Sequence, residues 1–288
     1  MYLSRIRLRP EIGATQLHHL LNDRKGYGLH RLFWGLFSDS QSNRRRDFLF
    51  REERAVEQLP YSGKRKADPI YYVLSPHRPK ANALFHVESK PYRPALSVGD
   101  RLSFKLRVNA VVQRDGKRHD IVMDAQHKWL NDQLQAIGQS LTGKKSARKQ
   151  RLLDHADDLQ LEQWRSVINA GRYCQKLAQR TDRLALMEWA IKTAESNRVW
   201  QWWERQGRER HGFNIAQHPD QGGPMLDYAA YLHHPIPEKG RSAGFSTLDL
   251  SGEVLVSDAD LFTNMLMEGI GPAKAFGCGL MMVRRSNA

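Results

Sequence analysis

Short runs of alternating apolar and polar side chains dominate the first part of the chain, and such runs are typical of strands that bury one face. Residues 2–9 alternate in this way and predict a strand in which Leu3, with Ile6 and Leu8 as further candidates, supplies buried side chains. Residues 28–37 place Leu and Phe at helical spacing and predict a helix. Further strands are predicted at 47–51, 70–74 and 101–108, with an uncertain segment before the last of them.

A second set of elements begins near residue 212. The pattern predicts strands at 226–234, 243–249 and 253–256, a helix at 258–268 and a final strand at 279–284. Units of one strand, one helix and two strands are typical of ferredoxin-like domains. The sequence therefore predicts an α+β fold with such a unit near each end.

The middle of the chain, residues 125–210, has a different pattern. Its tryptophans and leucines lie in long polar stretches that favour helix, which predicts an all-helical insertion. A dense basic run covers 143–151, and residues 198–210 mix tryptophans with arginines. Such segments either grip phosphates and stack on bases or form a solvated charged face beside a tryptophan-packed core. Their helical spacing favours the second interpretation.

The net charge of the chain favours some classes of binding partner over others. Its 288 residues carry 45 Lys and Arg against 31 Asp and Glu, a formal net charge of +14, which favours a polyanionic partner, nucleic acid ahead of membrane. No apolar run approaches the ~20 residues of a membrane span, and the N-terminus lacks a signal-peptide core, so we expect a cytoplasmic protein.

The cysteines and histidines predict no cofactor. Cys174 and Cys278 lie far apart in the sequence, so a disulfide framework is not expected. The histidines lack the spacing of metal ligands, so a zinc site is not expected either.

One segment near the C-terminus, residues 269–280, combines four glycines with Lys274. Glycine lets backbone N–H groups converge on an anion, and the lysine adds a mobile positive charge. It is not a nucleotide-binding P-loop, because Ala275 and Phe276 follow the lysine where that motif needs Ser or Thr and a helix. Composition leaves two interpretations open, a structural turn and a phosphate-binding loop.

Candidate general acids and bases are few. Tyr27 and His30 are three residues apart at the start of the first predicted helix, so both side chains can address one atom if both are helical. On composition alone, several other histidines are comparable candidates: His18, His19, His86 and His119. No Ser-His-Asp order or pair of catalytic carboxylates stands out.

Three motifs make the chain resemble the CasE family of CRISPR repeat-processing endoribonucleases, the crRNA-generating subunit of Cascade complexes. They are Met1-Tyr2-Leu3-Ser4, then Arg46-Asp47-Phe48-Leu49-Phe50, and above all Gly269-Ile270-Gly271-Pro272-Ala273-Lys274 with Gly277-Cys278-Gly279-Leu280. The resemblance covers about residues 1–122 and 211–288. It implies two tandem ferredoxin-like (βαββαβ) domains over these ranges, with residues 123–210 as a helical insertion between them.

The resemblance also implies roles for individual residues. The family's Tyr-x-x-His pattern matches Tyr27 to His30, where the histidine is catalytic, and Tyr27 would orient the attacking group or transfer a second proton. RNA contacts are implied for a further set: Lys105, Arg107 and Asn109 on one strand, Lys239 and Arg241 on a basic hairpin, and Gly269, Gly271, Lys274, Gly277 and Gly279 in the glycine-rich loop.

The implied reaction cleaves the repeat at the 3′ base of its stem. With no convincing metal ligands, the nucleophile is the RNA's own 2′-hydroxyl, which leaves a 2′,3′-cyclic phosphate and a 5′-hydroxyl. The implied partners are the repeat RNA, the crRNA 3′ hairpin that the protein retains, and other Cascade subunits. Two alternatives stay open: a non-catalytic RNA-binding subunit, and a basic assembly protein whose insertion binds protein partners.

Overall fold

The computed structural model describes residues 1–9, 11–12, 28–37, 47–54, 69–178, 182–219, 223–236 and 243–286, and the statements below concern these residues. The chain divides into two compact units. One unit combines Met1–Asn109 with Gly207–Ala288, and the other is Ala110–Gln206.

The first sheet is built from the N-terminal part of the chain. Its elements are β1 (Tyr2–Leu8), α1 (Gly28–Trp34), β2 (Leu49–Arg54), β3 (Pro69–Ser75) and β4 (Phe85–Pro91). The strands are antiparallel in the order β2-β3-β1-β4, with β1 between β3 and β4. This is the strand order of a ferredoxin-like domain. The uncertain segment of the sequence contains β4.

Apolar side chains cover both faces of this sheet. On one face, Phe33 of α1 packs among Ile6 and the aromatic rings of Phe50, Tyr71 and Phe85. On the other face, Leu3 packs against a smaller cluster with Leu49, Leu74 and Leu280. The strand predicted at 2–9 therefore divides its apolar residues between two faces, since neighbouring side chains point in opposite directions.

The next strand, β5 (Arg101–Val108), leads into the second unit, which begins with the hairpin β6 (Val111–Arg114) and β7 (Lys117–Asp120). Four helices follow: α2 (Ile121–Ala136), α3 (Lys145–His155), α4 (Asp158–Asn169) and α5 (Arg183–Gln206). The side chain of Asp120 caps α2 by accepting hydrogen bonds from the N–H groups of Val122 and Met123. The helical insertion predicted for this part of the chain is present.

Tryptophan and aliphatic side chains form the core of the helical unit. Trp164 is buried among leucines of α2, α3 and α5, and Trp202 and Trp203 are buried near the end of α5. The Nε1 of Trp202 donates a hydrogen bond to the backbone carbonyl of Val111. Most of the aromatic residues of the insertion are thus core residues.

The basic run of the insertion is directed at neighbouring helices. The Nη1 of Arg148 donates to Asn131 of α2 at 2.7 Å, and this arginine is only 6% exposed. Lys145 bonds the side chain of Gln126 on α2, and Lys149 forms an ion pair with Glu188 on α5. These three cations therefore stabilise the helical packing.

The second sheet closes the first unit. Its remaining elements are β8 (Phe213–Ile215), β9 (Leu226–Pro235), β10 (Gly244–Val256), α6 (Ala259–Glu268) and β11 (Met281–Arg285). All pairings are antiparallel: β5 lies between β11 and β10, β9 pairs with the first part of β10, and β8 pairs with its last three residues. The order β11-β5-β10-β9 repeats that of the first sheet.

Three details of the structure differ from the sequence-based boundaries. The range 1–122 was expected to form the first domain, but β5 is hydrogen-bonded within the second sheet because its partners are β10 and β11. The compact helical unit is Ala110–Gln206, whereas the insertion was expected at 123–210. The strands predicted at 243–249 and 253–256 are one continuous strand, β10.

In the described parts of the chain, every helix is too short or too polar to cross a lipid bilayer; α5, with 24 residues, is long enough but too polar.

The aromatic core of the first sheet yields a stability prediction. Phe33 is fully buried and contacts three aromatic rings, so Phe33→Ala should lower the free energy of unfolding by ~3–5 kcal/mol through lost burial and a residual cavity. Leu261→Ala is the control, because Leu261 is 45% exposed, and its change should stay within ~0.5 kcal/mol. Urea denaturation measures both. Equal effects would contradict the assigned core.

Candidate functional site

A cavity of about 280 Å³ lies in the first unit between the N-terminal sheet and the C-terminal sheet. Five parts of the chain meet there: α1, β2, β5, the β9–β10 pair, and the glycine-rich loop. The lining residues are Leu29, Phe50, Glu52, Arg107, His234, Pro235, Ile236, Phe245, Thr247, Phe276 and Gly277. The cavity therefore joins segments that are far apart in sequence.

The predicted catalytic residue His30 is in α1, the helix that contributes to this cavity. Its neighbour Leu29 lines the cavity, and α1 packs against the short 3₁₀ turn Lys274–Phe276. The imidazole ring of His30 stacks on Phe48, with ring centroids 5.3 Å apart, and meets the edge of Trp34 at 6.0 Å. These aromatic contacts hold the ring in one orientation. The helix itself is shorter than predicted and ends at Trp34.

The glycine-rich loop is shaped by positive φ angles and close contacts. Gly269, Gly271, Gly277 and Gly279 all have φ between 72° and 91°. A Cβ at Gly279 would lie 2.7 Å from the carbonyl oxygen of Ile270, and one at Gly269 would lie 2.7 Å from Leu49 Cδ1. Only glycine fits these positions without displacing a neighbour.

Most of the glycine N–H groups of the loop donate hydrogen bonds to backbone carbonyl groups. Gly279 donates to the carbonyl of Arg107 at 2.8 Å, Gly269 to Met265 at 2.8 Å and Gly277 to Lys274 at 3.4 Å. The Nζ of Lys274 donates to the carbonyl of Glu268, the last residue of α6, at 2.7 Å. These bonds favour the structural-turn interpretation for three of the four glycines. Gly271 is the exposed member of the set.

Arg107 brings a charged group to the cavity wall. Its Nε and Nη2 donate to the two carboxylate oxygens of Asp249, each at 2.8 Å. This bidentate bond raises the pKa of Arg107, and Glu52 acts in the same direction. Lys105 lies two residues away on the same side of β5 and is exposed. Asn109 is buried instead, and its side chain donates to the carbonyl of Ser246 at 2.6 Å.

The β9–β10 pair contributes an aromatic stack. The ring of His234 lies on Phe245 at 5.0 Å and 20°, and Phe245 lies against Phe276 at 4.5 Å. His234 Nε2 and Thr247 Oγ1 are hydrogen-bonded at 2.8 Å. Burial, followed by the charges of Arg107 and His233, lowers the pKa of His234, so its ring is neutral at pH 7.

The pairing of β9 with β10 is irregular close to these side chains. The register of β9 and β10 shifts between Thr247 and Asp249, where β9 has one residue more than β10. Ala230 in this stretch has φ of 50°, an unusual value for a residue other than glycine. Bulges of this kind twist the strand and redirect side chains next to functional sites.

A buried thiol lies behind the loop. Cys278 is fully buried, and burial raises its pKa to about 12, with Arg107, Asp249 and Arg51 as neighbouring charges. Arg51 is itself 5% exposed and bonds Glu53 at 3.3 Å. Cys278 is thus a packing residue and not a nucleophile.

Several predicted candidates lie elsewhere. Tyr27, Lys239, Arg241, His18 and His19 lie outside the described residues. His86 is on the exposed surface of β4, with Nδ1 3.7 Å from Glu88, and His119 belongs to the helical unit. Among the described residues, no group of three or more His, Cys, Asp or Glu side chains is placed to hold a metal ion.

Most of the cavity wall was not predicted from the sequence; the residues concerned are Glu52, His234, Phe245 and Thr247. A weak signal exists for Glu52, which follows the motif ending at Phe50 by two residues on the same face of β2. The others are ordinary strand residues, and only tertiary structure brings them to the loop.

Comparison with known proteins places the chain among CRISPR proteins. The family described as CRISPR associated protein matches residues 1–285. The CRISPR system Cascade subunit CasE of Escherichia coli (strain K12) is 36% identical over 55 residues, which cover 17% of this chain and 28% of that relative's length.

Two solved structures show the same fold. The CRISPR endoribonuclease Cse3 bound to 19 nt RNA matches with a TM-score of 0.57 and 20% identity over 99% of this chain and 100% of that one. Thermus thermophilus Cse3 bound to an RNA representing a pre-cleavage complex matches with 0.56 and 19%, over 98% of each chain. The predicted α+β fold with tandem ferredoxin-like domains is thereby confirmed.

The effect of close packing on stability can be measured separately from the effect of backbone conformation. Gly279 and Gly99 share a φ of 91°, but a Cβ at Gly99 would meet no atom within 4 Å. Gly99→Ala should therefore destabilise the protein by ~1 kcal/mol through backbone strain alone. Gly279→Ala should add a further ~1–3 kcal/mol from the clash with Ile270. Equal losses in chemical denaturation would show that the loop is looser than its contacts indicate.

The buried thiol predicts a selective labelling pattern. At pH 8, iodoacetamide should modify exposed Cys174 in the folded protein and leave Cys278 unmodified, because the thiolate is the reactive form and burial disfavours it. Mass spectrometry of the peptides measures this, and both cysteines should react after unfolding in guanidinium. Rapid modification of Cys278 in the native protein would contradict the packing of the loop on β5.

Proposed function

The chain belongs to the family of CRISPR associated proteins, as its resemblance to CasE indicated, and from this premise we propose that it is an endoribonuclease that cleaves CRISPR repeat RNA. The observation that carries the proposal is the cavity that joins the His30-bearing helix, Arg107 and the glycine-rich loop. The Cse3 relatives, whose fold this chain shares, are endoribonucleases bound to RNA.

His30 would transfer the proton in the cleavage step. A histidine that titrates near neutrality is suited to act as a base toward the 2′-hydroxyl or as an acid toward the leaving 5′-oxygen. The ring of His30 is held by Phe48 and Trp34, so it is oriented before RNA arrives. Tyr27, three residues earlier, would orient the attacking hydroxyl or act as the second proton-transfer group.

The products would be a 2′,3′-cyclic phosphate and a 5′-hydroxyl, because the nucleophile belongs to the RNA itself. This chemistry needs no metal ion, and we propose metal-independent cleavage at the 3′ base of the repeat stem.

Binding would depend mainly on charge and shape. Double-stranded RNA presents phosphates and 2′-hydroxyls to proteins, and the net charge of +14 favours their approach. Lys105 is exposed on β5 and suits a phosphate contact. In the loop, Gly271 and Lys274 are better placed than the buried Gly277 and Gly279 to meet RNA.

We also propose where the protein acts and what it binds. Lys239 and Arg241 would grip the stem from the β9–β10 connection. The protein would act in the cytoplasm and keep the 3′ hairpin of the crRNA. It would also assemble with other Cascade subunits, since the E. coli relative is named as a Cascade subunit.

The competing proposal is a non-catalytic RNA-binding subunit. The feature that favours it is the set of backbone hydrogen bonds within the glycine-rich loop. These bonds stabilise the fold, so the loop would keep its structure in a protein that does not cleave RNA. The competing proposal predicts the same RNA affinity and no product.

Cleavage of the repeat RNA by His30→Ala tests the proposal. In EDTA, wild type should cut and His30→Ala should cut ~10²–10⁴-fold more slowly, while electrophoretic mobility shifts show similar affinity for both. His86→Ala is the matched control, since His86 is an exposed histidine on β4, and it should cut at the wild-type rate.

A 2′-deoxy nucleotide before the scissile phosphate should abolish cleavage and leave binding nearly unchanged. Binding without cutting by wild type would support the non-catalytic alternative. Cutting by His30→Ala at the wild-type rate would remove His30 from the mechanism, and a requirement for Mg²⁺ would exclude the proposed metal-independent route.

A further inference from the structure

The helical unit carries positive side chains that the proposed reaction does not use. Some lie at the tip of the β6–β7 hairpin, and the others lie on the last turns of α5. We call them together the arginine-rich patch, and its members are Arg114, Lys117, Arg118, Arg198 and Arg205. All are exposed except Arg198, which is half-buried, and all belong to the compact unit Ala110–Gln206.

The hairpin holds its cations on a short and well-defined turn. Arg114 at the end of β6 lies directly opposite Lys117 at the start of β7. The two residues between them, Asp115 and Gly116, have φ of 49° and 71°, and positive φ at both positions is typical of a type I′ turn. The twist of this turn matches that of the flanking strands, so the cations project from a fixed support.

The last turns of α5 are tied to the base of this hairpin. Trp202 is buried, and its Nε1 donates to the backbone carbonyl of Val111 at 3.3 Å. Arg198 lies one turn before Trp202 and Arg205 one turn after it, so the two arginines are on the helix face that carries this tryptophan. Two turns separate them by roughly 10 Å along the helix axis.

The positive charges of the patch repel one another. Burial lowers the pKa of Arg198, and the charges of Arg114 and Arg205 lower it further. Among the described residues, no carboxylate is bonded to Arg198. Arg114 does have such a partner, because it forms an ion pair with Asp124 in the first turn of α2. An anion bound at the patch would relieve the remaining repulsion.

The phosphates of a nucleic acid match the chemistry of this surface. Guanidinium groups bind phosphate oxygens through paired hydrogen bonds, and a series of cations can follow a charged backbone. Trp202, which lies between the two arginines of α5, is 3% exposed and cannot stack on a base. Contacts at the patch would therefore be to the backbone, which carries no sequence information directly.

We propose that the arginine-rich patch is a second RNA-binding surface, which holds the phosphate backbone of the RNA outside the cleavage cavity and without preference for sequence. The inference rests on the proposed function for the choice of RNA over other polyanions, but RNA affinity can be measured without cleavage. Trp202 then belongs to the core of the helical unit, and the arginines on either side of it bind RNA.

The first experiment measures affinity by fluorescence anisotropy over a range of salt concentrations. The full-length protein is titrated into labelled repeat RNA and into RNA of the same length with a shuffled sequence. Arg198→Gln should weaken both complexes about threefold and lower the slope of log affinity against log salt by about 1. The triple variant Lys117→Gln, Arg118→Gln and Arg198→Gln should weaken both about tenfold or more.

Arg165→Gln is the matched control for these variants. Arg165 is an exposed arginine of α4 that is paired with Glu162, and its replacement should change neither the affinity nor the slope. Circular dichroism and thermal denaturation of each variant verify folding.

A second variant tests the sign of the effect. Asp124→Asn removes the carboxylate that pairs with Arg114, so it should strengthen RNA binding about threefold. A purely structural ion pair would give no such gain. Asp132→Asn is the control, because Asp132 is an exposed carboxylate of the same helix that is paired with Lys128, and it should change the affinity little.

The outcomes separate this inference from the proposed function. Wild-type affinity and salt slope in the folded triple variant would overturn it and would favour an acidic protein as the partner of the patch. A loss confined to the repeat sequence would overturn recognition of the backbone alone. Weakened binding by the triple variant, with no cutting by wild type, would refute the proposed reaction and leave this inference standing. Cutting by wild type with unchanged affinity in the triple variant would do the reverse.

Discussion

The site depends on the close approach of the glycine-rich loop to the two sheets. Leu49 of β2 occupies the space in which Gly269 would carry a side chain, and Gly279 donates its N–H to the carbonyl of Arg107 on β5. Leu280 then packs with Leu49 and Leu74 between the sheets. These contacts set the position of the loop relative to both sheets, and hence the position of Phe276 and Gly277 in the cavity wall.

Local pattern predicted the elements well because their periodicities are local properties. The bounds of β5 match the predicted range, since its apolar residues alternate regularly with polar ones. The partners of β5 were not predictable in this way, because the helical unit separates it in sequence from β10 and β11. The sequence pattern predicted two strands in place of β10, with a break around Gly252. A side chain at Gly252 would meet the carbonyl of Met225, so glycine at this position indicates close packing rather than a turn.

The candidate site was predictable only in part, for a related reason. His30 and the glycine-rich loop belong to motifs with characteristic residues, and the structure places their segments at one cavity. Arg107 was expected as an RNA contact, but its bond to Asp249, 142 residues away, has no local signature. The overall charge of +14 gave no indication that this cavity wall would hold the Glu52 carboxylate and a guanidinium that is already bonded to Asp249.

The position of the helical unit between β5 and β8 has a consequence for folding order. The first sheet is complete in sequence at Pro91, whereas β5 reaches its partners only after the whole helical unit has been made. Closing a long flexible loop costs entropy that grows with the logarithm of its length. A helical unit with its own core that folds first shortens the flexible connection to a few residues at each end. Early folding of the helical unit would therefore lower the entropic cost of pairing β5 with β10 and β11.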